Sequence, residues 1–190
     1  MAPDAAAIAV LDDLGQGLPR WSDETLPPYR FIPGLTPHPQ ADPRGYAYGV
    51  AAAVVAPLPP EAWRNSANYL QGCDLYNRGY WWEAHEAWEA LWQVTRARPD
   101  QHRFLQGLIQ SANAHLKLAL GKPRAVARLW SKAGGHFDLA LAEGAGSEGI
   151  MGLALAPWRA ATDAYLTERL ARATDRHNPA AFPYIELFPT

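Results

Sequence analysis

The chain is poor in cysteine and in charge, and it has no long apolar run. Cys73 is the only cysteine in 190 residues, so no internal disulfide can form. It falls on the apolar side of an expected helix, where a buried thiol is a better reading than a nucleophile. Lys and Arg number 17 against 19 Asp and Glu, for a net charge of −2. With no basic stripe, nucleic acid is not an expected partner. No stretch reaches the roughly 18 consecutive apolar residues of a membrane span. The start, Met1-Ala2-Pro3-Asp4, lacks the basic opening of a signal peptide, so a cytoplasmic location is the default expectation. A glycine-rich phosphate loop, a serine nucleophile elbow and a Cys/His cluster are all absent.

What is present is globular: 48% of residues are hydrophobic and 19% charged, enough to bury one core. Composition changes near residue 60. Eleven of the 17 prolines precede residue 61, and proline fixes φ and removes a donor. Residues 1–59 therefore read as an irregular arm, with a short helix over 5–14. Trp21, Tyr29, Phe31, Ile32, Tyr46 and Tyr48 give the arm reason to lie against the body and bury those side chains. Residues 60–175 read as a helical bundle and 176–190 as an extended, aromatic tail. The expected fold is all-α, a compact bundle of about five helices.

The first helix is expected over 60–77, with Ala62, Ser66, Tyr69, Cys73 and Tyr76 on one face and Gly79 as its left-handed cap. A second covers 80–95. A third, capped by Asp100, runs to about Leu120 with a stripe of Leu105, Leu108, Ile109, Ala112, Leu116 and Ala119. Gly107 inside it calls for a close approach by another helix. A fourth starts at Pro123 and is expected to break at Gly134-Gly135. Residues 144–152 form a loop, and Pro157 opens a fifth helix.

The second helix carries the chemistry. Residues 81–92 hold His85, the glutamates Glu83, Glu86 and Glu89, and four tryptophans. At 100° per residue Ala84, Trp88 and Leu91 form one line, with Trp81, His85 and Trp92 beside it. Glu86 and Glu89 lie on the neighbouring face, with Glu83 more remote. His85 and Glu89, four apart, project from the same side. His-Glu-x-x-Glu resembles the zinc-protease pattern His-Glu-x-x-His with a carboxylate for the second histidine. In that reading His85, Glu89 and His115 are metal ligands and Glu86 is the base. In the structural reading His85 and Glu86 are hydrogen-bonded within the bundle and the tryptophans pack around them. Gln106, Gln110, Asn113 and Lys117 form a line on the third helix that either faces solvent or meets Glu86 and Glu89. His115 is displaced from that line towards the core. Pro37-His38-Pro39 is a compact turn whose histidine can cover a site or simply stiffen the arm.

The blocks Glu83-Ala84-His85-Glu86 and Leu105-Gln106-Gly107-Leu108-Ile109-Gln110, with Asn77-Arg78-Gly79 before them, resemble the bacterial and archaeal family of domain of unknown function 309. The likeness runs over about residues 65–140. The arm segment Pro27-Pro28-Tyr29-Arg30-Phe31-Ile32-Pro33-Gly34 is similar to that of longer members, in which a histidine stands where this chain has Tyr46. The resemblance implies a compact all-helical domain and names no substrate. Its motif falls on Asn77, Gly79, Glu83, His85, Glu86, Trp88, Glu89, Gln106 and Gln110.

Two functions follow as expectations. The first is a binding or scaffold module for a small molecule or peptide, with a pocket framed by Trp81, Trp88, Trp92, His85 and Glu86 and including Asn77, Glu83, Gln106 and Gln110. The second is a metal-dependent, hydrolase-like enzyme. Acid–base catalysis by His85 and Glu86 without metal is a third form of the same site. Cofactor, ligand and oligomeric state are unassigned by the sequence.

Overall fold

The computed structural model describes residues 8–51, 54–143, 149–174 and 176–188. Among these residues the fold is all-helical. It comprises α1 (Ala67–Asn77), α2 (Trp81–Trp92), α3 (Pro99–Ala119), α4 (Pro123–Ala142) and α5 (Leu155–Ala171), with three short 3-10 turns. No helix is long and apolar enough to cross a membrane. Within the expected helix over 5–14, Ile8 and Ala9 are α-helical and lead into a 3-10 turn at Val10–Asp13; its first residues lie outside the described ones. So do residues 144–148 of the expected loop.

Each boundary has a local cause. The first helix is split: Pro60–Asn65 is a 3-10 turn, and Ser66 then caps α1 by accepting from the Tyr69 amide. Gly79 sits at φ +74° between α1 and α2, a conformation glycine adopts without strain. Asp100 is not the cap of α3; Arg98 holds that position and Pro99 occupies the first turn, where a missing N–H costs nothing. α4 runs unbroken through Gly134 and Gly135. Its flanking residues Ala133 and Phe137 are buried, and their packing keeps the glycine pair helical.

The expected stripes form the core. Tyr69, Cys73 and Tyr76 of α1 are fully buried, as are Ala84, Trp88 and Leu91 of α2 and Leu105, Leu108, Ala112 and Ala119 of α3. α3 lies between α2 and α4 and touches both along its length. The close approach at Gly107 comes from the Phe137 ring of α4, which a Cβ would overlap. Helix propensity favours Gly107→Ala by up to ~1 kcal/mol, but overpacking costs about 1–3 kcal/mol. A lower melting temperature is expected. A variant that melts above wild type would mean that Phe137 moves aside freely.

The arm is irregular and lies on α1 and α2. Leu11, Leu14 and Ile32 belong to the same buried cluster as the helices. Trp21, Tyr29, Phe31 and Tyr46 are half-buried, whereas Tyr48, expected to be covered, is 53% exposed. Burying one such ring contributes about 1.5–3 kcal/mol, so the arm adds to stability. At the other end Phe182, Ile185 and Leu187 are buried, and Leu187 pairs with Leu153 in an isolated bridge.

Candidate functional site

Three polar groups of α1 and α2 hold the arm and tail. Asp74 is fully buried and accepts from the Trp21 amide (2.9 Å), the Ser22 amide (2.9 Å) and the Ser22 hydroxyl (2.8 Å). Arg20 and Arg78 stand beside it at 3.7 and 3.6 Å. Glu83 accepts from the Phe31 amide at 2.7 Å and the Tyr46 hydroxyl at 3.3 Å. Asn77 exchanges two hydrogen bonds with the Ile185 backbone, at 2.8 and 2.7 Å. Asn77 therefore clamps the tail and does not face a pocket. Glu83, read as remote, is the most buried of the three α2 glutamates. That burial pushes its carboxyl up to about 7, against the lowering effect of its hydrogen bonds.

The tryptophans divide. Trp81 and Trp88 are core residues, and the Trp88 indole N–H donates to the Tyr69 carbonyl. Trp92 stacks on His102 with ring centroids 4.7 Å apart. None of the three joins the charged seam. Trp82, which the spacing did not single out, meets Phe31 and His38 edge-on at 5.2 and 5.1 Å. It is the platform for the arm. The Pro37-His38-Pro39 turn thus covers α2, and His38 Nδ1 accepts from the Gln40 and Ala41 amides.

His85, Glu86 and Glu89 come together. One donor atom from each lies within 4.8 Å of the other two, and all three side chains are half-buried. His85 Nε2 is 3.2 Å from Glu89 Oε2. On the other ring nitrogen, Asn113 of α3 contacts Nδ1 through Nδ2 at 3.2 Å. An amide nitrogen only donates, so Nδ1 accepts and Nε2 carries the proton given to Glu89. His85 does face α3, through Asn113. Glu86 instead faces the arm: Gln40 Nε2 donates to its Oε2 at 3.4 Å, and burial raises its carboxyl above the ordinary range. Gln106 and Gln110 are half-buried and do not contribute to this group.

His115 is elsewhere. It is fully buried, with Nε2 at 2.9 Å from the Tyr76 hydroxyl, and it is not among the donors that converge with His85. Its ring stacks on Trp81, with His177 at 5.5 Å.

Two hollows flank Glu86 where the arm crosses α2. One, of 250 Å³, is bordered by Tyr46, Trp82 and Glu83. The other, of 350 Å³, is bordered by Val55, Glu89 and Val94. Gln40 and Glu86 line both. Among the described residues three carboxylates and no Lys or Arg line the two hollows.

Residues 69–129 match the family described as Domain of unknown function (DUF309). The matched stretch runs from α1 into α4; it includes Glu83, His85, Glu86, Glu89 and Asn113 and leaves out the arm. No curated protein and no solved structure matches the chain.

Proposed function

We propose that this DUF309 chain is a binding module for a cation, held as a divalent metal ion by His85, Glu86 and Glu89 under the edge of the arm. The convergence of one imidazole and two carboxylates within 4.8 Å carries the reading. Among the described residues no Lys or Arg lines the flanking hollows, which supports it because their three carboxylates attract a cation. Donors around one zinc-sized ion sit about 3–3.5 Å apart. His85 and Glu89 are already 3.2 Å apart, so a rotamer adjustment of Glu86 closes the group. A mixed nitrogen and oxygen set suits zinc, nickel, cobalt or manganese rather than calcium.

Binding requires the Nε2 lone pair, so the proton must move to Nδ1. Turning the Asn113 amide by 180° presents Oδ1 to that proton, which is the outer-shell partner that metal-bound histidines use. Glu86, the base of the hydrolase reading, is itself in the donor group. Hydrolysis would need a different base, so the binding reading is the better supported.

Calorimetric titration of untagged protein with zinc and with manganese tests this. One saturable site is expected. His85→Ala should abolish it, and Asn113→Ala should weaken it by about 10–100-fold. Bound metal should also raise the melting temperature of wild type and not of His85→Ala. Titrations without binding heat, or heat unaffected by His85→Ala, would overturn the proposal.

A further inference from the structure

A second cavity, of 320 Å³, opens where the end of α3, the start of α4 and the end of α5 meet. It shares no residue with the cation site. Its walls are apolar, from Leu118, Pro123, Leu170 and Ala173, and its polar lining includes Lys122 and Arg169. Among the described residues no carboxylate lines it.

Arg169 is the unusual member. It is only 9% exposed, and its Nε is buried with no hydrogen-bond partner. Its guanidinium lies 5.5 Å over the Tyr165 ring. Among the described residues one ion pair reaches it, from Nη2 to Glu168 at 3.1 Å, and Glu168 is shared with Arg172 at 2.9 Å. One carboxylate thus serves two guanidinium groups. The charge of Arg169 is therefore only partly compensated.

The start of α4 adds to the same field. Lys122 is its N-cap residue, Pro123 opens its first turn and no side chain caps it. The unpaired amides of a 20-residue helix carry about half a positive charge at that end. Lys122 is exposed and its chain can fold over the opening.

The geometry points to a pocket for a small organic monocarboxylate with an apolar body, its carboxylate between Arg169 and Lys122 and its carbon chain against Leu118 and Leu170. Arg169 supplies the fixed planar donor set that suits a carboxylate. The size is at the lower end for small-molecule sites. Apolar walls disfavour a bare inorganic anion, which would leave them without a partner.

Titration of the full chain with hexanoate, 1-hexanol and inorganic phosphate tests the assignment, followed by calorimetry or by chemical shifts of the α5 amides. Hexanoate is expected to saturate one site, and each control to bind at least about tenfold more weakly, the loss of one good contact. Lys122 is exposed and an acid is favourable at a helix start, so Lys122→Glu should not lower the melting temperature while weakening hexanoate by about tenfold or more. Arg169→Met should abolish binding. If that variant does not fold, the Lys122 result and the two controls still decide. Hexanol or phosphate binding as tightly as hexanoate, no saturable hexanoate binding, or an unchanged affinity in Lys122→Glu would each overturn the proposal.

Discussion

Asp74→Ala is expected to destabilise the protein by about 3–5 kcal/mol, the usual cost of removing one partner of a buried charged group. The carboxylate is fully buried and gathers three donors from Trp21 and Ser22. Arg78, with a side chain 12% exposed, lies 3.6 Å away. Alanine leaves the two amides and Arg78 without their shared acceptor. Arg78 keeps its bonds to the Asp74 carbonyl of α1 and the Leu18 carbonyl of the arm, so the loss should fall on the Trp21–Ser22 segment. Urea denaturation separates the two. If the arm detaches in the folded state, less surface remains to be exposed on unfolding and the m-value falls with the midpoint. Limited proteolysis should then cut within residues 8–30. Asp74→Asn keeps one acceptor oxygen and should fall between alanine and wild type. An alanine variant with the wild-type midpoint would show that Asp74 does not hold the arm.

The clamps also show where sequence reasoning stops. The helices and their buried faces are legible because their signal is local: a recurrence of three or four residues marks a helix face. Tyr69, Cys73 and Tyr76 need only their own spacing to be placed in the core. Asp74 and Glu83 meet partners 52 or 53 residues away, and Asn77 meets Ile185 across 108 residues. Nothing at those positions announces the pairing. Glu83 was misplaced for that reason, because a helical wheel locates its face but not the arm that covers it. Trp82 falls outside the lines drawn on the same wheel, and Phe31 and His38 of the arm supply its cover. The His85 and Glu89 pair is legible because i and i+4 share a helix side, whereas Glu86, expected as the base, joins them as a third donor. His115 could not join it, since the third helix presents Asn113 there and turns His115 into the core.

Stability should peak near pH 6.5 and fall on both sides. On the acid side the cause is the histidine pair. His177 Nε2 lies 3.1 Å from the His115 carbonyl, which can only accept, so Nε2 carries the proton. Nδ1 then accepts from the Tyr165 hydroxyl at 2.9 Å. The Tyr165 oxygen in turn accepts from the Asn178 amide. A second proton on His177 has no acceptor, and burial pushes its imidazole down to about 3. His115 is shifted well down for the same reason, with its neighbour His177 adding to it. Both pKa values are lower folded than unfolded, so the stability they contribute is present above about 6.5 and lost as pH falls. Each histidine contributes a slope of about 1.4 kcal/mol per pH unit between its unfolded and folded values. Glu83 acts in the opposite direction. Its folded value near 7 exceeds the unfolded 4.5, so its contribution is present below about 4.5 and lost as pH rises to 7. From pH 6.5 to 4.5 the loss from the two histidines is offset in part by Glu83 and Glu86, whose carboxyls are raised; below about 4.5 the glutamates no longer compensate and the loss steepens. Melting temperatures from pH 3.5 to 8 check the shape. Glu83→Gln should remove the decline between pH 6.5 and 7, and His177→Gln should reduce the acid slope. A flat profile between pH 6.5 and 4.5 in wild type would mean that the buried histidines gain protons without unfolding, and the closed donor chain through Tyr165 would not hold.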